Sequence, residues 1–463
     1  MTKENSGSYT FTIDGDGEVP HGWSGVLTYP EVKSASVQFK LFSNNNFGFV
    51  KPFRLLGAHD KYVVHGWLNS CRPVTLLEPF YNSNGGGVLA YGFRQSTYLS
   101  GYVGSLVEGA HLDSDNESAI SEVGFWSESL VTIAQMQACQ NKAIACREGT
   151  PEAETLLSET DVADLGKLNF TITYRFDENS RKQVSRAYTR LKTKRGIDIW
   201  TAQSWARFHL HFIDFIVGAS AGDFRTSVFI DEPDSSDYRL DNHLRLAVYP
   251  RQKADHLRNI SIILTNPIDA IPEALANAWI DDSIKERVLA AATLRSAKLG
   301  IFERFIRTIT FLEQWLHVRY PDCSERQDRF SSYVNDYNAH LRTASKEVKS
   351  FAEEFARPRY PKKNSLKELL VKAFSECRPF GLACDNQQAQ IMADRRNDLA
   401  HGKEPTARDQ IHELLIGSDL GLAVIELLTL KDIGLDPANN FRPRYGRYGT
   451  QHGIYTLEAR GDD

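Results

Sequence analysis

The sequence predicts an α+β multidomain protein, in which a β-rich N-terminal module is followed by an all-α helical bundle. Three observations predict it. At 463 residues, with 41% hydrophobic and 24% charged, the chain has the composition of a globular protein too long for one core. Up to about residue 282, short β-branched and aromatic runs alternate with glycine-containing turns. Beyond that point apolar residues recur every three or four positions, and prolines punctuate them.

In the first region SGVLTY, SVQFKLF, KYVVHGWL, RPVTLLEPF, LNFTITYRF, LRLAVYP and NISIILTNP read as strands, and NSNGGG as a loop between two of them. One helix is expected inside this region, from about Thr201 to Ala219, with Trp205, Phe208, Phe212, Phe215 and Ile216 at helical spacing. In the second region, SIKERVLAAATLRSAKLGIFERFIRTITFLEQWLHVRY reads as helical up to Pro321. Further helices are expected at 325–356, 364–377, 386–400 and 406–430, giving a bundle of about five. The spans are therefore 1–282 for the β-rich module, 283–435 for the bundle and 436–463 for a tail rich in arginine and aromatics. HGW occurs at His21–Trp23 and again at His65–Trp67, too short a match to establish a repeat.

Composition narrows the function. A net charge of -5 offers no global attraction to nucleic acid, so any RNA contact must be local. The polar start MTKENSGS is not a secretion signal, and no run reaches the length of a membrane helix; a cytoplasmic protein with no membrane partner is expected. The six cysteines lack zinc-site spacing and read as buried thiols. DGDGE lacks the remaining ligands of a calcium loop, and His209 and His211 lack a third ligand nearby and read as core or boundary residues. With no phosphate-binding glycine loop either, no metal and no cofactor are expected.

The segment that carries chemistry is DRRNDLAHG, at the end of a predicted helix. Arg396 and His401 enclose four residues, and Arg395 is the alternative arginine. The same spacing occurs at Arg54/His59, Arg251/His256 and Arg447/His452, but those pairs fall in turns, between strands or in the tail. On an ideal helix, side chains five positions apart point roughly 140° away from each other. The pair converges on one phosphate only if the helix breaks at the histidine, and Gly402 and Pro405 supply that break. RNA carries its own nucleophile, the 2′-hydroxyl. Cleavage then needs a proton-transfer group, which histidine provides, and a fork of donors for the phosphorane, which arginine provides. Asn397 is placed to orient either partner.

This pair resembles the arginine–histidine motif of HEPN ribonucleases, and the wider chain resembles the ApeA family of bacterial anti-phage HEPN proteins. The likeness rests on VVHGWLNSCRPVTLLEP at 63–79, VEGAHL at 107–112, GFWSESLVTI at 124–133, FLEQWLHVRY and RNDLAHG. It implies a metal-independent RNA endonuclease that cuts tRNA in abortive infection, with Arg396, His401 and Asn397 in the site. It also implies a homodimer, or a higher oligomer, with facing motifs, and an N-terminal module that responds to a phage-derived trigger. Such pairing should leave apolar surface on the 286–320 or 406–430 helices. Basic residues that would guide RNA are Arg395, Lys362 and Lys363 before the motif helix, and Arg444 and Arg447 interleaved with tyrosines in the tail. The alternative is a non-catalytic bundle that dimerises and carries a β-rich recognition domain.

Overall fold

The computed structural model describes residues 7–13, 23–29, 37–43, 63–69, 71–88, 95–112, 120–127, 130, 133–134, 153–177, 182–218, 224–230, 243–248, 266–267, 269–296, 299–321, 324–355, 364–382, 384–403 and 405–437. It has a β-rich N-terminal region and a helical C-terminal region. The chain divides into two compact units, Met1–Ser296 with Asp432–Asp436, and Ala297–Lys431 with Pro437–Asp463.

Among the described residues the first unit has fourteen strands: β1 (Gly7–Ile13), β2 (Trp23–Tyr29), β3 (Val37–Ser43), β4 (Val63–Leu68), β5 (Arg72–Leu77), β6 (Phe80–Val88), β7 (Gln95–Val103), β8 (Ser105–Glu108), β9 (Ile120–Ser127), β10 (Ala153–Val162), β11 (Gly166–Asp177), β12 (Lys182–Ile197), β13 (Phe224–Ile230) and β14 (His243–Val248). They form one sheet in the order β10-β11-β12-β9-β13-β14-β8-β5-β4-β1-β2-β3-β7-β6. Alternation of apolar and polar residues sends Phe11, Leu27, Phe39, Leu41, Val64, Val74, Val103 and Leu106 into one core cluster. Gly66 is required there. A Cβ on it would stand 2.3 Å from the Phe11 ring.

Two expectations for this region change. NSNGGG is not a loop but part of β6, which pairs with β7 through a register shift between Tyr81 and Ser83. Glycine is poor in strands yet tolerated at a bulged strand on the end of a sheet, where one side has no ladder to keep. RPVTLLEPF divides into β5 and the start of β6, turning at Glu78 with φ 45°. Most of NISIILTNP lies outside the described residues.

Helix α1 (Ile199–Val217) lies where the aromatic spacing predicts it. Asp198 caps it by accepting from the Trp200 and Thr201 amides at 2.8 and 2.9 Å, and Gly218 ends it in the left-handed region at φ 66°. Trp205, Phe208, Phe212 and Phe215 are fully buried. His209 is a core histidine: it stacks on Phe125 at 4.1 Å and lies 3.2 Å from Thr189 Oγ1. Burial holds its imidazole neutral, down to about 3. Two further described helices of the unit are α2 (Ala270–Ile280) and α3 (Asp282–Ser296). The first was not expected. Pro272 masks it in the sequence but sits in the first turn, where its missing N–H has no helical partner to lose. Helix α3 packs on α1, so the contact boundary falls after Ser296 rather than after Asp282.

The second unit holds six α-helices and one 3₁₀ turn (Arg378–Phe380) among the described residues: α4 (Ile301–Arg319), α5 (Ser324–Thr343), α6 (Lys346–Phe355), α7 (Leu366–Cys377), α8 (Asn386–Ala400) and α9 (Arg408–Asp432), whose last residue belongs to the first unit. The run read as helical from residue 283 to Tyr320 is two helices, because Gly300 is extended (φ -63°, ψ 157°) and starts α4 afresh. The helix expected at 325–356 also divides, at Ser345, whose hydroxyl accepts from the Val348 amide. Ser365–Glu368 and Asp385–Gln388 form reciprocal capping boxes that start α7 and α8. Helix α9 is buried along most of its length from Leu414 to Leu430. Gly417 and Gly421 admit α4 against it: a Cβ at 417 would meet the Phe305 ring at 2.7 Å, and one at 421 would meet the Thr308 methyl at 2.9 Å.

Candidate active site at the end of α8

The motif residues ride on the last turn of α8 and the cap that closes it. His401 is the C-cap, with φ -94° and ψ 12°. Its amide donates to the Asn397 carbonyl at 3.0 Å. Gly402 then turns left-handed at φ 72°, its amide donates to Leu399 O at 3.1 Å, and the Lys403 amide reaches back to Asp398 O at 2.8 Å. Those two reverse bonds make a Schellman motif, the termination that a glycine after the cap encodes. No neighbour crowds Gly402, so its backbone angle is what requires glycine. The helix therefore breaks at the histidine, as the geometry of an arginine–histidine pair five positions apart demands.

His401, Gly402 and Lys403 are exposed, and so is Asn397. Arg396 is half-buried and donates from one guanidinium nitrogen to Glu313 Oε2 of α4 at 2.8 Å and from the other to Asn397 Oδ1 at 3.5 Å. Neither contact is with His401. Arg395 is more enclosed and is held by two carboxylates, Glu413 of α9 at 2.5 Å and Asp398 at 2.9 Å. Lys403 stands 3.7 Å from Asp398. Each cation of the site thus has a carboxylate, and the local charge is close to balanced.

The arrangement has consequences for the two arginines. Arg395 joins α8 to α9 and lies in a bidentate grip, so an incoming phosphate would have to displace two acids. Arg396 has one carboxylate partner and an exposed amide beside it, and the fork keeps donors to offer. Of the two, Arg396 has the more available donors, and Glu313 holds it in place. Glu313, Glu413 and Asp398 were not anticipated from the sequence. Asp398 alone sits at a spacing that signals contact with Arg395, whereas Glu313 meets Arg396 across 83 residues of chain.

Lys362, Lys363, Arg444 and Arg447 lie outside the described residues, as do His59, His256 and His452 of the competing pairs and the DGDGE stretch. No group of three or more histidine, cysteine or acidic side chains suited to a metal ion occurs among the described residues. The described cysteines 71, 377 and 384 are free thiols. No described helix is long and apolar enough to cross a membrane.

In the first unit the N-terminal segments VVHGWLNSCRPVTLLEP and VEGAHL do meet. The imidazoles of His65 and His111 stack at 4.9 Å, and each donates from Nε2 at 2.9 Å, His65 to Leu112 O and His111 to Gly66 O. Thr75 completes the clasp, donating its hydroxyl to Ala110 O and accepting from the Leu112 amide. These bonds fasten the turn after β8 to the β4–β5 hairpin, a structural task that explains the residue types without a ligand.

Scans of the chain against protein-family models, against curated proteins and against solved structures each found no match.

Proposed function

We propose that the second unit is a HEPN-type, metal-independent RNA endonuclease with Arg396 and His401 as its catalytic pair and Asn397 beside them. The observation that carries this reading is the end of α8: an exposed histidine at a Schellman cap, one turn beyond a half-buried arginine that a carboxylate holds in place. In the reaction, His401 transfers the proton between the 2′-hydroxyl and the leaving 5′-oxygen, which needs no metal. Arg396 swings from Glu313 to the phosphorane oxygens, or binds them while keeping one bond to Glu313. Asn397 holds a phosphate oxygen or steadies the guanidinium. One pair supplies a single proton-transfer group, so a homodimer with facing motifs, giving two histidines, is the working unit.

Resemblance to the ApeA family extends the proposal to tRNA cleavage in the cytoplasm during abortive infection, with the β-rich unit responding to a phage-derived trigger. Among the described residues no large apolar side chain is exposed on α9, whereas exposed ones lie on α4 (Phe302 and Val318) and on α5 and α6 (Tyr333, Val348 and Phe351).

A second reading draws support from the ion pairs. Arg395 and Arg396 both tie α8 to neighbouring helices, as they would in a non-catalytic scaffold. Sequencing RNA ends after inducing wild-type and His401→Ala protein in a bacterial cell separates the two. The ribonuclease reading expects new ends with the wild type alone. Identical profiles from both proteins leave only the scaffold.

A further inference from the structure

Helix α1 reaches the sheet on two opposite sides. His209 faces β9 and β12, where it meets Phe125 and Thr189. Arg207 lies two positions earlier, roughly 160° around the helix, and its side chain goes to the start of β8. There Nη2 donates to the Ser105 hydroxyl at 3.1 Å. Ser105 is fully buried and pairs with Leu77 at the end of β5 and with Val248 at the end of β14, so three strand ends meet at the guanidinium. A Cβ on Gly104, at the bend between β7 and β8, would stand 3.0 Å from Nη2, with no other described neighbour within 4 Å. The guanidinium thus lies against bare backbone with space beside it.

Three features of this place point to an anion. Arg207 is half-buried, and among the described residues the bond to Ser105 is its one hydrogen bond, with no carboxylate in an ion pair. A guanidinium is a fork of N–H donors, and enclosing them unmatched is costly. Second, the charge that reaches Arg207 is that of Glu78 on the β5–β6 turn, which is exposed and stops short of an ion pair. Burial and the Arg207 charge hold His211, one turn further along the same face, toward its neutral form. Asp214 is two turns from Arg207, about 10 Å along the axis and opposite to the lean of a helical side chain. Third, Gln203, one turn before Arg207, is 4% exposed, and its Nε2 has no hydrogen-bond partner among the described residues. Buried amide donors are ordinarily matched.

We propose that Arg207 and Gln203, at the Gly104–Ser105 corner of the sheet, bind a phosphate group, either free or carried as a monoester on a small molecule. The guanidinium fork takes two oxygens, and the Gln203 amide donates to a third. A phosphate has an oxygen for each of these donors and the charge to match the guanidinium, where a carboxylate has too few oxygens and chloride has none. The site belongs to the β-rich unit and stands apart from the ribonuclease reading of Arg396 and His401.

The test is isothermal titration calorimetry of the full chain carrying Arg396→Ala, so that the arginine on α8 contributes no phosphate binding. Sodium phosphate and uridine 5′-monophosphate are titrated separately at constant ionic strength. Binding of both supports a site for the phosphate group itself, and binding of the nucleotide alone supports an esterified phosphate. Binding of neither overturns the proposal. Adding Arg207→Met, which keeps the side-chain stem and removes the charge, is expected to weaken binding at least about ten-fold, and Gln203→Leu about three-fold. Glu78→Gln, at an exposed position, is expected to tighten binding by removing a competing charge. In phosphate-free chloride buffer Arg207→Met is expected to melt no lower than its parent, since it relieves an unmatched enclosed cation. Undiminished binding in a folded Arg207→Met protein overturns the proposal. If that variant does not fold, unchanged affinity in Gln203→Leu and Glu78→Gln overturns it instead. Lower melting of both Arg207→Met and Glu78→Gln would make the two residues structural partners, which also overturns it.

Discussion

The two units mix the same materials in different proportions: the first also holds enclosed ion pairs, Arg287 with Asp432 and Arg72 with Glu108, but its core is mainly aromatic and aliphatic. In the first, fully buried side chains such as Phe11, Phe125, Trp205 and Phe212 fill the core, and its fully buried titratable residue, His209, is kept neutral. In the second, charged side chains join the helices. Arg304 reaches Asp419 at 3.0 Å, Arg396 reaches Glu313, and Glu376 gathers Arg319, Lys431 and the Tyr320 hydroxyl. Those donors, Arg319 foremost, hold the Glu376 carboxyl down to about 2, while burial and the neighbouring Glu376 carboxylate push the Tyr320 phenol well above its ordinary range. Apolar contacts tolerate no vacancy but are indifferent to pH, whereas ion pairs can be traded for a ligand. The difference teaches where to expect function. A phosphate can enter a lattice of arginines and carboxylates by exchange, and the motif arginine belongs to that lattice.

Glu376→Ala should show the contrast most strongly, because it leaves Arg319 and Lys431 without their shared carboxylate in a largely enclosed site. A loss of about 3 kcal/mol from the helical unit is expected, read by urea unfolding with hydrogen exchange assigned to each unit. Equal loss of protection in the β-rich unit would mean the two do not differ as described. Gly417→Ala comes next. Its methyl group would press on the Phe305 ring, and overpacking of this kind costs about 1–3 kcal/mol. The same change at Gly124, which has space, should cost nothing measurable.

Acid should move the units in opposite directions. His209 has a folded value near 3 against an ordinary 6.5, so the unfolded chain takes up the proton first and the β-rich unit weakens as pH falls from 6.5 toward 3. Asp419 is pushed up to about 6 by burial, against 3.8, so the folded state takes up the proton first and the helical unit strengthens as pH falls from 6 toward 4. Below 4.5 the Glu376 contribution is lost in turn, as its carboxyl titrates toward 2. Between pH 6 and 5 each effect amounts to roughly 1 kcal/mol. Hydrogen exchange at the two pH values checks the signs, and His209→Phe should flatten the response of the β-rich unit alone.

The smallest effect concerns the motif. Arg396→Ala should cost the helical unit about 1 kcal/mol through Glu313, since the pair is half-exposed, while His401→Ala should cost less than about 0.5 kcal/mol because the cap is made by backbone groups. Thermal melting of the two variants decides this. A larger loss from His401→Ala would mean the imidazole has a structural partner.

Legibility in the sequence followed the range of the interaction. Helix α1 was readable because five aromatic and aliphatic residues share one face, and the end of α8 because Gly402 is the local signal for a Schellman cap. The strand in NSNGGG was not, since its conformation is set by β7 and not by its own glycines. Helix α2 was hidden by Pro272, and the division at Gly300 by apolar spacing that continues on both sides of it. Glu313 and Glu413 were out of reach altogether, because their roles come from helix packing and no local pattern encodes them.

The central claim is that His401 and Arg396 cleave RNA without a metal. The direct measurement is single-turnover cleavage of purified bacterial tRNA by the full-length protein in EDTA, alongside His401→Ala and Arg396→Ala proteins that melt as predicted above. The account predicts cleavage by the wild type in chelator and a fall of about 10²–10⁴-fold in rate for each variant. Cleavage that persists in His401→Ala, or that vanishes in EDTA and returns with magnesium, would contradict it.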